Sequence, residues 1–464
     1  MQPNGNRKVI VSFRWEHLLG WGVTILLCVI PVVLWFRLHP LSTLEGYIPT
    51  MLNLGRVAGL VGTVMYALNL VYSTRLRFLE GLFGGLNRVY IAHHMLGGLA
   101  LVMLSLHPLF LALRYVTTSM KQAALMLVPN GLLPLDALFD TSHLYHSPVM
   151  QQWALFFGII AFWGMVALLL VTFFVTIPYR LWLITHRFLG VAFAISALHI
   201  LFISSDTTKD PLMKGYMLTI VAIGLAAFLY KTLLGNIIIR RYKYTIRQAQ
   251  TVAGNVVQVL LDPVGKTMSY QPGQFVFIRF HGEGVKPEWH PFSISSSPHD
   301  DGLQISIKGL GDFTNSLGAL KEGMTADIEG AYGRFSYTNY RNKQQIWIAG
   351  GIGVTPFLSM MKNLPADMKV DLYYSVKTES ELIDWPLLYQ EAVRQPQVLR
   401  VIPFIGDKQP KFLDADFIDQ TSGGFAGKDI YICGPPPMMS SLRTQLKAKG
   451  VPGTSIHSEE FAMS

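Results

Sequence analysis

Two stretches of this chain place histidines among apolar residues at nearly matched spacing. The first reads His93-His94-Met95-Leu96-Gly97 and runs through apolar residues to His107. The second reads His186-Arg187-Phe188-Leu189-Gly190 and runs on to His199. An ionisable side chain at membrane depth is costly and marks function by default. Four imidazoles on two helices, in two layers, are what two stacked six-coordinate haems require, each iron taking one imidazole from each helix. From His93 to His107 is fourteen residues, which returns to nearly the same helix face and rises about 21 Å. From His94 it is thirteen, which does not return. His93 is therefore expected as the ligand and His94 as its neighbour. His186 to His199 is also thirteen, so the second helix is expected to be bent, tilted or locally rewound. Any one of these histidines alone would read as a buried, hydrogen-bonded member of a helix bundle. The doubled pattern favours metal ligation by His93, His107, His186 and His199.

The elements that must position these residues follow from composition. The chain has 464 residues, is 51% hydrophobic and 14% charged, against about a quarter charged in soluble proteins. The deficit lies in residues 21–234, a series of apolar stretches long enough to cross a core of about 30 Å. Six spans are expected near 19–37, 54–73, 89–113, 152–177, 184–204 and 213–235. The net charge of +9 does not indicate nucleic acid, because the basic residues fall in short links between spans. Arg7, Lys8 and Arg14, then Arg75, Arg77 and Arg88, then Arg180 and Arg187, then Lys231, Arg240, Arg241 and Lys243 lie on one side of a six-span bundle. Both termini are then cytoplasmic. The opposite side holds a long loop, 114–151. The first apolar stretch is too long for a signal-peptide core and reads as a retained helix. Two cysteines, Cys28 and Cys433, are too far apart in the scheme to form a disulfide.

Beyond Arg240 the periodicity changes. Residues 243–338 alternate as strands do, in Phe275-Val276-Phe277-Ile278-Arg279-Phe280 and Leu303-Gln304-Ile305-Ser306-Ile307, with turn signals between, which suits a small antiparallel barrel. Within it stands His290-Pro291-Phe292-Ser293, where the Ser293 hydroxyl is suited to a flavin ring nitrogen and its neighbours to packing on the ring. Lys308 follows, then Gly330-Ala331-Tyr332-Gly333, whose glycines permit close backbone approach to a phosphate. From Gln345 a short buried strand, Ile346-Trp347-Ile348-Ala349, runs into Gly350-Gly351-Ile352-Gly353-Val354-Thr355-Pro356 and then a helical stretch. A glycine turn there offers backbone N–H groups to a pyrophosphate. Strands near 369–375 and 429–432 suit a parallel sheet, the last ending in Cys433-Gly434-Pro435-Pro436.

In this order the motifs resemble the NADPH oxidase and ferric reductase superfamily over nearly the whole chain. The resemblance implies a six-span di-haem bundle (1–238), an FAD-binding antiparallel β-barrel (239–340) and an NADPH-binding α/β domain (341–464). It implies that His290, Pro291, Phe292 and Ser293 hold the flavin and that Lys308 and Gly333 hold the FAD phosphates. Gly350, Gly351, Gly353, Thr355 and Pro356 would hold NADPH, with Cys433, Gly434 and Pro435 near the hydride path. Lys377 would read the 2′-phosphate, Phe461 would cover the flavin, and Arg56 would stand beside the outer haem. Animal NADPH oxidases often carry a further histidine one turn beyond the outer ligand of span three; here that residue is Leu111. No calcium-loop pattern is present. The expected activity carries electrons from cytosolic NADPH through FAD and two b-type haems to an external acceptor. Dioxygen leads; a ferric chelate, a quinone or an external partner reductase are the alternatives. The lipid bilayer, in a bacterial inner membrane, is the expected setting, with no nucleic acid and no obligatory partner subunit. A proton channel using the histidines as a relay is the contrasting class, and the flavin and nucleotide motifs argue against it.

Overall fold

The computed structural model describes residues 16–128, 148–235, 239–253, 255–340 and 342–459. It divides into two compact units, one over Glu16–Ile238 and the other built on Ile239–Ser464.

The first unit is helical. Its long elements are α1 (Glu16–Leu38), α2 (Tyr47–Tyr72), α3 (Leu86–Leu113), α4 (Pro148–Phe174), α5 (Tyr179–Phe202) and α6 (Pro211–Leu229). Among the described residues these supply six helices long and apolar enough to cross a membrane. Each is apolar nearly all round, as a helix must be when no aqueous face exists. Large apolar side chains such as Leu26, Val33, Phe173 and Phe174 cover the outside. The bundle is organised by pairs: α2 against α3 and α6, and α4 against α5. Small residues let the backbones approach. A Cβ built on Gly62 of α2 would stand 2.8 Å from the Leu104 side chain of α3, and one on Gly190 of α5 would overlap Phe228.

The second unit begins with a six-stranded antiparallel sheet: β1 (Arg241–Thr251), β2 (Val256–Pro263), β3 (Phe275–His281), β4 (His290–Ser293), β5 (Leu303–Lys308) and β6 (Thr325–Tyr332). The order is β4-β3-β6-β1-β2-β5. A bridge from Ile294 to Ile305 brings the two edges together, so the sheet is a nearly closed barrel. Val259, Leu261, Val276, Ile278, Phe280, Ile305 and Ile328 fill it. The alternation in β3 sends Val276, Ile278 and Phe280 inward. Phe275 and Phe277, on the other face, are buried as well and pack on Tyr332 at ring distances of 6.1 and 5.7 Å.

The rest is a parallel five-stranded sheet: β7 (Gln344–Gly350), β8 (Lys369–Val376), β9 (Leu399–Ile405), β10 (Asp429–Cys433) and β11 (Ile456–Ser458). Its crossovers contain α7 (Thr355–Met361), α8 (Trp385–Arg394), α9 (Ala415–Ser422) and α10 (Pro436–Ala448). The order β11-β10-β7-β8-β9 means that the chain winds outward from β7 and then returns to its other side. Trp347 and Tyr374 pack with α7 and α8 on one face; Ile346, Ile348 and Tyr373 pack with α9 and α10 on the other. Strands covered on both faces are continuous hydrophobic runs, as β7 and β10 are. The reversal of winding between β7 and β10 leaves a crevice at their carboxyl ends, where ligands bind in sheets of this kind.

Candidate functional site

His107 and His199 are held by one repeated device. His107 on α3 donates from Nδ1 to the Gly55 carbonyl of α2 at 2.7 Å, and its ring covers Gly59, where a Cβ would stand 2.6 Å from Nδ1. His199 on α5 donates from Nδ1 to the Ala154 carbonyl of α4, also at 2.7 Å, and covers Gly158 at the same 2.6 Å. In each case a carbonyl and a glycine four residues later form the seat. The bond assigns the proton to Nδ1 and leaves Nε2 as an electron pair. Metal-bound histidines are oriented in this way. The two rings lie 6.3 Å apart between centroids. A metal–imidazole bond of about 2 Å puts the ring centroid about 3 Å from the metal, so two axial rings stand about 6 Å apart. The pair fits.

The other pair meets at 6.1 Å, between His93 and His186. His93 Nδ1 lies 3.1 Å from the Asn69 carbonyl of α2. His186 is stacked on Trp182 at 5.0 Å, and its Nδ1 is buried without a hydrogen bond. His94 stands beside His93 with rings 5.7 Å apart. The helix α5 is continuous from Tyr179 to Phe202, so the thirteen-residue spacing is taken up without a break in the helix. Around the first pair is a cavity of about 460 Å³ lined by His107, His199, Gly59, Gly158 and Arg56, with Leu111 also on its wall. That volume lies within the range of small-molecule sites.

In the second unit the sequence-chosen residues lie on the barrel strands β4 and β5 and after β6, and at the carboxyl ends of β7, β8 and β10. Cross-strand register places Ser293 opposite Phe275, and Phe275 opposite Tyr332, on three neighbouring strands. Gly333 follows with φ +94°, a left-handed conformation that a side chain resists. A Cβ there would meet Glu459 Oε1 at 2.7 Å and Phe275 at 3.0 Å. Pro291 and Phe292 continue β4, and His290 stacks on Phe313 at 3.7 Å with Nε2 3.4 Å from Glu288. Burial holds the His290 imidazole below its ordinary value, with the Glu288 carboxylate working in the other direction. Lys308 ends β5, three residues beyond the bridge that joins Ile305 to Ile294.

The glycine segment after β7 winds into a 3-10 turn, Gly351–Val354, leading into α7. Gly351 has φ +53°. The segment presses on the loop after β10: a Cβ on Gly353 would meet the Cys433 carbonyl at 2.3 Å, and one on Gly350 would meet Pro435 at 2.8 Å. A Cβ on Gly434 would stand 3.0 Å from Gly350 Cα. The Thr355 hydroxyl donates to the Ile352 carbonyl at 3.0 Å and Pro356 is buried, so both shape the turn. Cys433 is free and buried. Burial, with the Glu459 carboxylate nearby, raises its thiol far above the ordinary value. It is a protonated thiol at neutral pH and no nucleophile. Lys377 is exposed at the end of β8, two residues past Ser375, which pairs with Gly350. Its N–H donates to Glu381. Phe461 lies outside the described residues.

Sequence reasoning did not single out Gly59, Gly158 or Glu459. A carboxylate two residues before the terminal aromatic was visible in the string Ser458-Glu459-Glu460-Phe461. The glycine seats had no signal of their own, because each lies on a different span from the ring it receives.

A barrel able to hold a flavin, joined to a doubly wound sheet with a glycine-lined crevice, defines a flavin- and nicotinamide-dependent oxidoreductase. Comparison with known proteins agrees. Residues 58–197 match the ferric reductase-like transmembrane component, 241–350 an FAD-binding domain and 347–444 the oxidoreductase NAD-binding domain. This order of domains is the architecture of the ferric reductase and NADPH oxidase superfamily. Among the described residues the chain joins six helices long and apolar enough to cross a membrane to the FAD- and NAD-binding domains of an oxidoreductase. The chain is 28% identical over 211 residues to the anthranilate 1,2-dioxygenase electron transfer component of Acinetobacter baylyi, covering 43% of this chain and 60% of that one. It is 31% identical over 165 residues to the mitochondrial ferric reduction oxidase 8 of Arabidopsis thaliana, covering 32% of this chain and 22% of that one. The chain spans about three fifths of the length of the first of these relatives. Among solved structures, the cytochrome b5 reductase domain of Ulva prolifera nitrate reductase is similar at 20% identity, with a TM-score of 0.41, over 47% of this chain and 97% of that one.

Proposed function

We propose that this chain is a transmembrane NADPH oxidase that binds two b-type haems, the outer one between His107 and His199 and the inner one between His93 and His186. When bound, FAD would accept a hydride from NADPH, and the haems would carry its electrons singly to an acceptor outside, dioxygen before others. The observation that carries this reading is the pair of histidine contacts at 6.1 and 6.3 Å, each set for a metal between two rings. In the barrel, Ser293 would bond the flavin ring, with His290, Pro291 and Phe292 packed around it and Lys308 and Gly333 toward its phosphates. Gly350, Gly351, Gly353, Thr355 and Pro356 would shape the nucleotide crevice, closed on its far side by Cys433, Gly434 and Pro435. The neutral Cys433 thiol would border the nicotinamide without competing for the hydride. Lys377 would meet a 2′-phosphate, and Phe461 would shield the flavin until the nicotinamide displaces it. The domains would run 1–238, 239–340 and 341–464, with both termini on the cytoplasmic side of a bacterial inner membrane.

Leu111 on the cavity wall favours a second reading, in which a ferric chelate is the outer acceptor. Much of the loop that would contact a chelate, 129–147, lies outside the described residues.

The test is haem stoichiometry. A pyridine haemochrome assay on purified chain should give two b-type haems, and His107→Ala or His199→Ala should lose one while NADPH still bleaches the flavin. One haem or none in the wild type overturns the reading. NADPH consumption with dioxygen, ferric chelate or quinone as sole acceptor, with superoxide dismutase controls, then names the acceptor.

A further inference from the structure

The outer cavity has a second polar end that the histidine pattern does not explain. Asp206 opens the short helix Asp206–Lys209, capped by Ser205, and its side chain is 5% exposed. Its Oδ2 lies 3.5 Å from Arg56 Nη1 and 3.2 Å from His39 Nε2, the latter off the hydrogen-bonding line. His39 is held in turn by stacking on Trp35, 4.8 Å between rings. The neighbouring charges pair with each other, Arg37 with Asp210 at 2.5 Å. Asp206, Arg56 and Arg114 all line the cavity that contains His107 and His199. One carboxylate therefore offsets one of two arginines where an acceptor must approach.

We propose that Asp206 is a specificity-determining residue for the outside acceptor. By pinning Arg56 and lowering the local positive potential, it disfavours anionic ferric chelates relative to neutral dioxygen. This rests on the reading of an outer haem between His107 and His199. The step at this end moves one electron and no proton: dioxygen becomes superoxide, or a ferric chelate becomes its ferrous form with one more negative charge. NADPH yields two electrons and one proton on becoming NADP⁺, so two acceptor molecules are reduced per NADPH. An anionic acceptor enters with repulsion from Asp206 and leaves with more of it. A buried charge acts on a neighbour across a low dielectric, so the effect is not lost to solvent.

The experiment uses the full-length chain in nanodiscs and two outer-sphere acceptors of opposite sign, ferric EDTA as an anion and hexaammineruthenium(III) as a cation. In Asp206→Asn the ratio of ferric EDTA rate to hexaammineruthenium rate should rise about threefold to tenfold at low ionic strength and shrink toward wild type near 0.5 M salt. In Arg56→Gln the ratio should fall. Asp206→Glu keeps the charge and should keep the wild-type ratio. Potentiometric titration gives a readout apart from turnover: the outer-haem midpoint should move positive in Asp206→Asn and negative in Arg56→Gln, because a ferrous haem carries one more electron. An unchanged ratio in a two-haem Asp206→Asn protein, or shifts of the same sign in both variants, overturns the proposal. Should Asp206→Asn lose haem, Arg56→Gln and Asp206→Glu decide it, and an unmoved Arg56→Gln ratio overturns it. A wild type lacking the outer haem instead defeats the underlying reading.

Discussion

Gly59 and Gly158 matter because of what each excludes. A methyl group on either would stand 2.6 Å from an imidazole nitrogen, and overpacking of this kind costs about 1–3 kcal/mol. The ring is tied to a carbonyl four residues earlier, so it cannot yield without losing that bond. Gly59→Ala or Gly158→Ala should therefore cut haem content from two per chain toward one, with Gly164→Ala, whose Cβ meets nothing within 4 Å, as the unaffected control. Full haem in the Gly59 and Gly158 variants would mean the seats are looser than drawn. In the barrel, His290 titrates below its ordinary value of 6.5 because it is buried. The unfolded chain thus binds the proton more readily, so this stability is fully present above about pH 6.5 and is lost as pH falls. Thermal release of flavin should drop more steeply between pH 7.5 and 5 in the wild type than in His290→Asn. Parallel profiles would remove His290 from the balance. The histidines and motif residues were legible because their chemistry is rare in their surroundings. Glu459 and Asp206 were not, since a carboxylate near a chain end or a loop is ordinary until the fold buries it.

At the scale of elements, the glycine turn after β7 and the Cys433 loop after β10 form one unit although about eighty residues separate them. Gly353 has no room for a side chain, its Cβ position being 2.3 Å from the Cys433 carbonyl. Gly353→Ala should force these loops apart, raising the NADPH KM about tenfold or more while the flavin stays bound. A Gly353→Ala enzyme with wild-type KM would show that the crevice does not depend on this contact. The six spans were legible because each apolar run is long and bounded by charges; five of the described helices fall within three residues of the expected ranges, while α2 begins at Tyr47, seven residues before the expected 54. Alternation located the barrel strands, yet it did not reveal that Phe275 and Phe277 are buried on the outward face. That depends on Tyr332, a residue of another strand. The bending, tilting or rewinding expected in α5 came from comparing two ideal helices. The two pairs meet at nearly equal separations, 6.1 and 6.3 Å, with α5 helical throughout from Tyr179 to Phe202.

On the scale of the whole molecule, the distance from His93 to His107 has an electrical consequence. Fourteen residues of helix rise about 21 Å of a core about 30 Å thick, so in the proposed two-haem bundle an electron passing between the histidine layers would cross most of the membrane field. Moving one charge through the whole field is worth about 2.3 kcal/mol per 100 mV, and two thirds of that is about 1.5 kcal/mol, roughly tenfold in an equilibrium constant. A cytoplasm held negative would push each electron outward, and every turnover would discharge the potential that drives it. In proteoliposomes with an imposed potassium diffusion potential, turnover should quicken when the nucleotide-binding side is negative and slow when the polarity is reversed. Equal rates at both polarities would rule this out. If the prediction holds, sustained turnover needs a compensating flow of cations outward through some other route, and the catalyst works as a current generator coupled to the state of its membrane.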